Sequence, residues 1–478
     1  MNSGIDAGHG GTDLTEGRVP VVAIVGAGCT GTLLAANLLR AGDTPIEVLL
    51  IERTGVFGPG VAYGTSDPRH LLNVPAARMS AWCDEPLDLC DWAGRETGDG
   101  APEAFLPRRD FGAYLQAALA DAESQAAPQR KLTRVGAEVL DAREDAGAIE
   151  LALEGRAPIT CDRLVLALGN LPGAPIGVLG SDPRIIPDPW AAGPVKTPQE
   201  GRTLVVGMGL TAVDTILSLT ADDDDAAVLA LSPSGRFPFA HLSGEHTPSP
   251  APAIPEGAIG LDEAEKLVRD HIARMESEGY DWRDAFDGLR PVTSELWSRL
   301  SVADRREFLQ RHVREWERRR HRMAPAVAER LAQLASTGRL TTLAARLSGV
   351  DGAGPRLRVT VDLGGGRDSR QLDCERIIVC AGPGTDIRRS PSRLLQSLLQ
   401  SGRVVPDDLG LGLRASGDGA LLDDQGREGD GRIFTLGPLR RGELWETTAV
   451  GEIREQARDL AAVLDRSIAG ERPAVRAA

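Results

Sequence analysis

Two short stretches hold the residues whose types and spacing could do chemistry. The first is Gly26-Ala-Gly28-Cys-Thr-Gly31, set between the apolar run Val21–Val25 and a helical pattern. The second is Gly207-Met-Gly209-Leu-Thr-Ala212, preceded by an apolar run from Thr203 and followed by another helical pattern. A glycine turn between a strand and a helix start is a phosphate cradle. Its first glycine makes the turn, its second admits a pyrophosphate, and its third (or an alanine) lets helix and strand pack closely. The helix then presents unpaired N–H groups and the positive end of its dipole. The chain is therefore read as having two dinucleotide sites.

The residues after each following strand assign the two sites. Strand 46–51 ends in Glu52, about 20 residues past the third glycine, where an acid accepts both ribose hydroxyls. The strand after the second fingerprint, 227–231, ends instead in Ser232-Pro-Ser234-Gly-Arg236. A carboxylate there would repel a 2′-phosphate, whereas serines and a guanidinium would bind one. The first site accordingly reads as FAD, with Gly26, Gly28, Gly31 and Glu52. The second reads as NADPH, with Gly207, Gly209, Ala212, Ser232 and Arg236.

The bulk properties set outer bounds. A chain of 478 residues predicts two to three domains, and a net charge of −15 makes nucleic acid or an anionic membrane a poor partner. No apolar run reaches the roughly 18 residues of a spanning helix. Residues 1–19 are polar and Gly-rich, without a signal-peptide pattern, and read as a disordered leader of a cytoplasmic protein. The six cysteines form no C-x-x-C, and no His pair lies near them at zinc spacing, so free thiols and no metal are expected.

The remaining elements must position these residues. Residues 56–82 read as an ordered loop against the first dinucleotide, with Arg53, Tyr63, Asn73, Met79 and Ser80 as candidate contacts. Residues 87–92 and 111–122 read as helices, and 135–142 with 149–153 as a hairpin. Residues 163–169 and 376–382 are two buried strands, each ending in glycine. The acidic run 222–225 reads as a solvated turn, and 261–347 as a largely helical insertion. In it, Ser301-x-x-Asp304 predicts a helix start, and Arg318-Arg-Arg-His-Arg322 is a cationic run beside Trp297 and Trp316. A final strand, 432–436, leads through Gly437 to Thr448, Ala449 and a helix at 452–464.

This order resembles the flavoproteins with two dinucleotide-binding domains over roughly residues 20–465. The resemblance implies an α/β fold of two Rossmann-like domains, the NADPH domain inserted into the FAD domain and itself carrying a helical insertion. The implied divisions are a leader at 1–19, FAD domain at 20–195, NADPH domain at 200–365 with its insertion at about 256–347, and FAD-domain return at 370–478. In such proteins the chain returns near Ala381-Gly382, and the last helix, from about Thr448, points at the flavin ring. A narrower resemblance rests on GPGVAYGT at 58–65, HLLNVPAARMSAW at 70–82, RHRMAP at 320–325 and LGPLRRGELWETTAVGEIREQA at 436–457. These are similar to the FAD/NAD(P)-binding protein family that includes flavin monooxygenases oxidising the amine of aspartate to nitrosuccinate. The Ala-Thr-Gly-aromatic signature of N-hydroxylases is absent, and so is the redox Cys pair of disulfide reductases.

The resemblance implies that NADPH reduces the flavin, that reduced flavin takes up molecular oxygen, and that an amine on a small anionic substrate attacks the distal oxygen. No acid–base triad is required, because the cofactor performs the chemistry. A carboxylate-bearing substrate needs cationic partners, and Arg290, Arg320 and Arg322 come first, then Arg78. Two alternatives stay open: an NADPH-dependent flavin reductase that passes electrons on, and a nucleotide-binding redox sensor.

Overall fold

The computed structural model describes residues 18–145, 147–173, 175–191, 201–221, 225–244, 246–352, 354–364, 368–428 and 431–470. The expected leader, apart from its last two residues, and most of the acidic run 222–225 lie outside them.

The strand Val21–Val25 alternates its side chains between two cores, as the two-residue period of a strand requires. Val22 and Ile24 join the core under the helices Cys29–Arg40, Arg108–Gln125 and Val450–Ile468. Val21, Ala23 and Val25 join the opposite core, against an antiparallel sheet and the helix Arg393–Gln400. The parallel sheet around it runs Arg130–Gly136, Ile46–Glu52, Val21–Val25, Arg163–Leu166, Ile433–Thr435. Val139–Asp145, Ala148–Leu153 and Ile159–Cys161 form the antiparallel layer.

The second parallel sheet repeats this plan. Its order is Leu340–Ala344, Ala227–Ser232, Arg202–Val206, Arg376–Val379, Ile185–Ile186. Val205 faces a core shared with the helices Leu210–Leu219 and Pro325–Ser336, and Leu204 and Val206 face the strands 346–374. In each half a three-stranded antiparallel layer comes in the chain just before the fourth strand of the parallel order.

Hydrogen bonding corrects several expected boundaries. Arg376–Val379 pairs with Arg202–Val206, so this strand belongs to the second sheet, and the chain does not leave that sheet at 370. Ile185–Ile186, placed by sequence in the first domain, supplies the far edge of the second sheet. Val135 completes a parallel strand, and the hairpin begins only at Val139. The insertion is helical from Leu261 to Ser336, but Leu340–Ala344, with two β-branched threonines suited to a pleated surface, is a strand rather than helix. The predicted helix start at Ser301 is present: the Ser301 hydroxyl accepts from the Asp304 N–H at 3.1 Å and caps the helix Val302–Arg311.

The first turn is fixed by backbone contact. Gly26 has φ +101°, and a Cβ on it would lie 2.3 Å from the Ala167 carbonyl oxygen. A Cβ on Gly31 would lie 1.9 Å from the Gly26 carbonyl oxygen, a backbone neighbour that cannot turn aside. Gly31→Val is therefore expected to cost about 2 kcal/mol or more. It should lower the melting temperature and release FAD on gel filtration. Unchanged melting and flavin content would refute this close packing.

Candidate functional site

Both fingerprints end at helices with free first-turn donors. Gly28 and Gly209 stand at the N-caps in extended conformation, and no side chain among the described residues caps either helix. The helices starting at Trp282, Val302 and Arg393 are capped, by Asp281, Ser301 and Ser392. Leaving N–H groups uncapped is what an incoming phosphate requires. Gly209 has open space where its side chain would be, so a pyrophosphate can approach the second turn. At the first turn the Gly60 backbone crosses close to Gly28; a Cβ on Gly60 would lie 2.9 Å from the Gly28 Cα.

Glu52 ends its strand beside this turn. Its carboxylate accepts from the Ala27 N–H at 3.0 Å and from the Thr54 hydroxyl at 3.1 Å, which hold it at the fingerprint. At the second site, the Ser232 hydroxyl accepts from the Gly235 N–H at 3.1 Å, and the exposed Arg236 follows. Gly207 has φ +110°, and a Cβ on it would meet the Cys380 carbonyl oxygen at 2.1 Å. The two fingerprints thus share one geometry, each first glycine lying on a carbonyl just past its sheet's fourth strand. Gly382 therefore belongs to the second half, as Gly169 belongs to the first. The two crossing connections touch, with the Gly384 N–H donating to the Leu171 carbonyl at 3.1 Å.

The loop residues expected at FAD have diverse surroundings. Tyr63 packs edge-on against Phe111 at 4.6 Å, Met79 is a core residue, and Arg53 is exposed. The buried Ser80 hydroxyl donates to the Glu85 carbonyl at 2.6 Å and accepts from the Trp82 N–H, so its own loop uses it. The Asn73 carbonyl accepts from His241 at 2.9 Å, and the Ser80 carbonyl accepts from Arg454 at 3.1 Å. Segment 70–82 therefore ties the second domain to the last helix. Gly437 approaches Thr30 at the first helix start, and the Thr447 hydroxyl donates to its carbonyl at 2.9 Å. Thr448 and Ala449 follow, half-buried, with Ala449 at the N-cap of Val450–Ile468.

The four arginines chosen from sequence meet in one cluster. Arg322 holds Asp287 at 2.5 Å, Arg78 reaches the same carboxylate at 3.2 Å, and Arg320 reaches it at 3.7 Å. Arg320 also donates to Glu446 at 2.8 Å, and Arg290 makes a two-pronged pair with Glu452 at 2.6 and 2.5 Å. Arg320, Arg322, Asp287 and Glu446 form a buried floor. Arg78, Arg290 and Glu452, with 29%, 26% and 21% of their side chains exposed, form a reachable rim. Burial alone would raise the Asp287 and Glu446 carboxyls. Arg322 at Asp287 and Arg320 at Glu446 override it and hold both below their usual values. Sequence reading missed the three carboxylates. Asp287 carries no motif, and Glu446 and Glu452 sit in a quoted stretch whose partners are more than 100 residues away.

A second polar network joins the two halves. The Ser218 hydroxyl donates to Asp67 at 2.8 Å, His70 lies 2.9 Å from that hydroxyl, and Arg108 pairs with the buried Asp214 at 3.1 Å. Asp214 and Ser218 lie on the second fingerprint helix, and Asp67 and His70 on the loop after Glu52. Among the described residues no His/Cys/Asp/Glu group could hold a metal, and no helix is long and apolar enough to cross a membrane. Cys29, inside the first fingerprint, is a free thiol pushed up to about 12 by burial.

Residues 23–171 match the model of the FAD-NAD(P)-binding family. A comparison with curated proteins gives no match by sequence. Among solved structures, the chain is similar to the ornithine N-hydroxylase of Kutzneria sp. 744, with TM-score 0.62, 18% identity and coverage of 93% of this chain and 99% of that one. It is also similar to the reduced ornithine hydroxylase of Pseudomonas aeruginosa, with TM-score 0.62, 16% identity and coverage of 94% and 99%. A third is the L-lysine 6-monooxygenase of Pseudomonas syringae, with TM-score 0.61, 17% identity and coverage of 93% and 99%. At these identities the likeness establishes the fold, over nearly the whole length of both chains.

His241 sits between the arginine cluster and segment 70–82. Burial, reinforced by Arg322, lowers it to about 3, and its Nε2–H donates to the Asn73 carbonyl. The unfolded chain takes up this proton below about pH 6.5. The folded chain does not until near pH 3, so stability falls as pH drops through that window. His241→Gln keeps an N–H donor without the titration, and should remove up to about 1.4 kcal/mol per pH unit of the slope between pH 6 and 4. Parallel denaturant melts of both proteins test this, and identical slopes would refute it.

Proposed function

We propose that this protein is an NADPH-dependent flavin monooxygenase that oxidises the amine of a small, anionic, amino-bearing metabolite such as an amino acid. The observation that carries the reading is the convergence of Arg78, Arg290, Arg320 and Arg322, with three carboxylates, at the start of the last helix. That helix start is where the wider resemblance directs the flavin ring. The hydroxylase neighbours act, by their descriptions, on ornithine and lysine, which supports an amino-acid substrate.

The two cradles fit the cofactors. Gly26, Gly28, Gly31 and Glu52 would hold FAD, and Gly207, Gly209, Ala212, Ser232 and Arg236 would hold NADPH. Bound together, these cofactors supply hydride and activate oxygen, so the chain's own task is binding, orientation and exclusion of water. The cluster has four cations against three carboxylates. Its partly exposed rim, Arg78 and the Arg290–Glu452 pair, is where a substrate's carboxylate and ammonium would meet charge, by exchanging into that pair. Mixed charge of this kind orients a zwitterion, because a reversed substrate would set like charges together. Asp287 and Glu446, pinned by Arg322 and Arg320, stay ionised and keep the arginine forks in place.

Substrate assignment is tested with a panel of amino acids under oxygen-18. The expected result is substrate-dependent NADPH oxidation and a product carrying the label; NADPH oxidation yielding only hydrogen peroxide, whatever the amino acid, would favour the reductase alternative. Arg320→Ala should raise KM tenfold or more with FAD retained, and Arg320→Lys should recover part of it. Unchanged substrate affinity removes Arg320 from the site. Arg236→Ala should lower kcat/KM for NADPH about tenfold, the worth of one charge-assisted hydrogen bond, and leave NADH nearly unaffected. Equal losses with both nucleotides would refute the 2′-phosphate role.

A further inference from the structure

The helical insertion, with Phe239 and Trp445, lines a partly open cavity of about 670 Å³. Aromatic residues make up 4% of the chain, yet seven line this one space, four of them tryptophans: Trp282, Trp297, Trp316 and Trp445. Protein interiors are close-packed, with few voids larger than a water molecule, and small-molecule sites occupy several hundred cubic ångströms of mostly apolar surface. Five of the rings, Phe286, Trp297, Phe308, Trp316 and Trp445, form one connected wall, and Phe239 and Trp282 form a separate edge-on pair. Trp297 stacks on Trp445 at 4.7 Å, and Phe308 stands edge-on to both and to Trp316.

The cavity backs onto the arginine cluster without being part of it. Phe286 and Trp445 line the cavity, whereas their chain neighbours Asp287 and Glu446 pair with Arg322 and Arg320. Charge indicates what would fit. Trp282, Trp297, Trp445 and Phe239 each already carry a guanidinium over the ring, from Arg283, Arg305, Arg441 and Arg318 at 4.5 to 5.4 Å. A second cation against these rings would be repelled across them, so the wall is unsuited to an ammonium and suited to a neutral ring. Of the three carboxylates at the lining, Glu265 is paired with His312 at 2.7 Å and Glu315 with Arg318 and Arg319 at 2.7 and 3.0 Å, and Glu276 is exposed to solvent at the edge of the space.

Trp445 links this space to the redox centre. It is the one described non-glycine residue with positive φ, at +38°, and its indole is clamped by Trp297, whose Nε1–H donates to the Gly442 carbonyl at 2.9 Å. Such strain persists only where its surroundings hold it, and it clusters at sites that switch or bind. The next residues are Glu446, in the arginine cluster, and Thr447 to Ala449, at the last helix start.

We propose that this cavity is a second ligand site, separate from the substrate cluster, which takes a neutral planar aromatic molecule and reports its occupancy to the flavin through Trp445. The link to the flavin rests on the functional reading above; binding itself does not. The test uses FAD-loaded full-length protein and indole as probe, followed by calorimetry and by flavin fluorescence. Indole should bind, and trimethylphenylammonium, an aromatic cation of similar size, should bind at least tenfold more weakly. Val268→Trp and Ala264→Phe, both filling the cavity away from the cofactor and substrate residues, should each weaken indole binding at least tenfold with FAD content unchanged. Absence of indole binding, or equal binding of the cation, overturns the site on the wild-type protein alone. Indole binding that both filled variants retain overturns its location. Indole binding without any flavin change overturns the link through Trp445 and leaves the binding claim standing.

Discussion

The carbonyl oxygen of Ala167 lies where a side chain on residue 26 would have to be, and the carbonyl of Cys380 stands in the same relation to residue 207. Everything at the two nucleotide sites depends on these two close approaches. They draw the end of each fourth strand against the turn after the first strand, so each fingerprint helix starts at the carboxyl edge of its sheet. Ligands of open parallel sheets bind at that edge. Because the contact is between backbone atoms, no repacking of side chains could replace it, and only glycine satisfies both the space and the positive φ.

The second organising feature is ionic. Asp287 and the Arg320–Arg322 run come from the insertion, Arg78 from the loop after Glu52, and Glu446 and Glu452 from the closing segment. Buried ions are tolerated only when paired, and losing one partner leaves a charge stranded. The cluster therefore docks the insertion on the last helix while presenting charge of both signs at its rim. The Asp67–His70–Ser218 contacts from the first loop and the Arg108–Asp214 pair from the helix Arg108–Gln125 do the corresponding work toward the second fingerprint helix. Segment 56–82 is long because it makes contacts in both directions.

Much of the fold was legible along the chain. Glycine spacing, strand alternation and the serine cap at residue 301 are local rules, expressed within a few residues of where they act. Pairing partners were not. Ile185–Ile186 is two residues long and gives no periodic signal, yet it forms the edge of the second sheet across nearly two hundred residues from Ile377 and Ile378. The 376–382 strand looks in sequence like the start of the return to the first domain. Its hydrogen bonds to Thr203–Val206 assign it to the second.

The sequence by itself determined the two glycine turns between strand and helix, with an acid after the next strand in one half and serines and an arginine in the other, because these depend on residue type at fixed short spacing. It also named the four arginines, which any anionic substrate in this acidic chain would need. Tertiary structure alone decided that those arginines meet, that three carboxylates neutralise most of their charge, and that an aromatic cavity lies behind them. Those outcomes depend on contacts between residues from about 30 to more than 200 positions apart, where no local pattern constrains the partner.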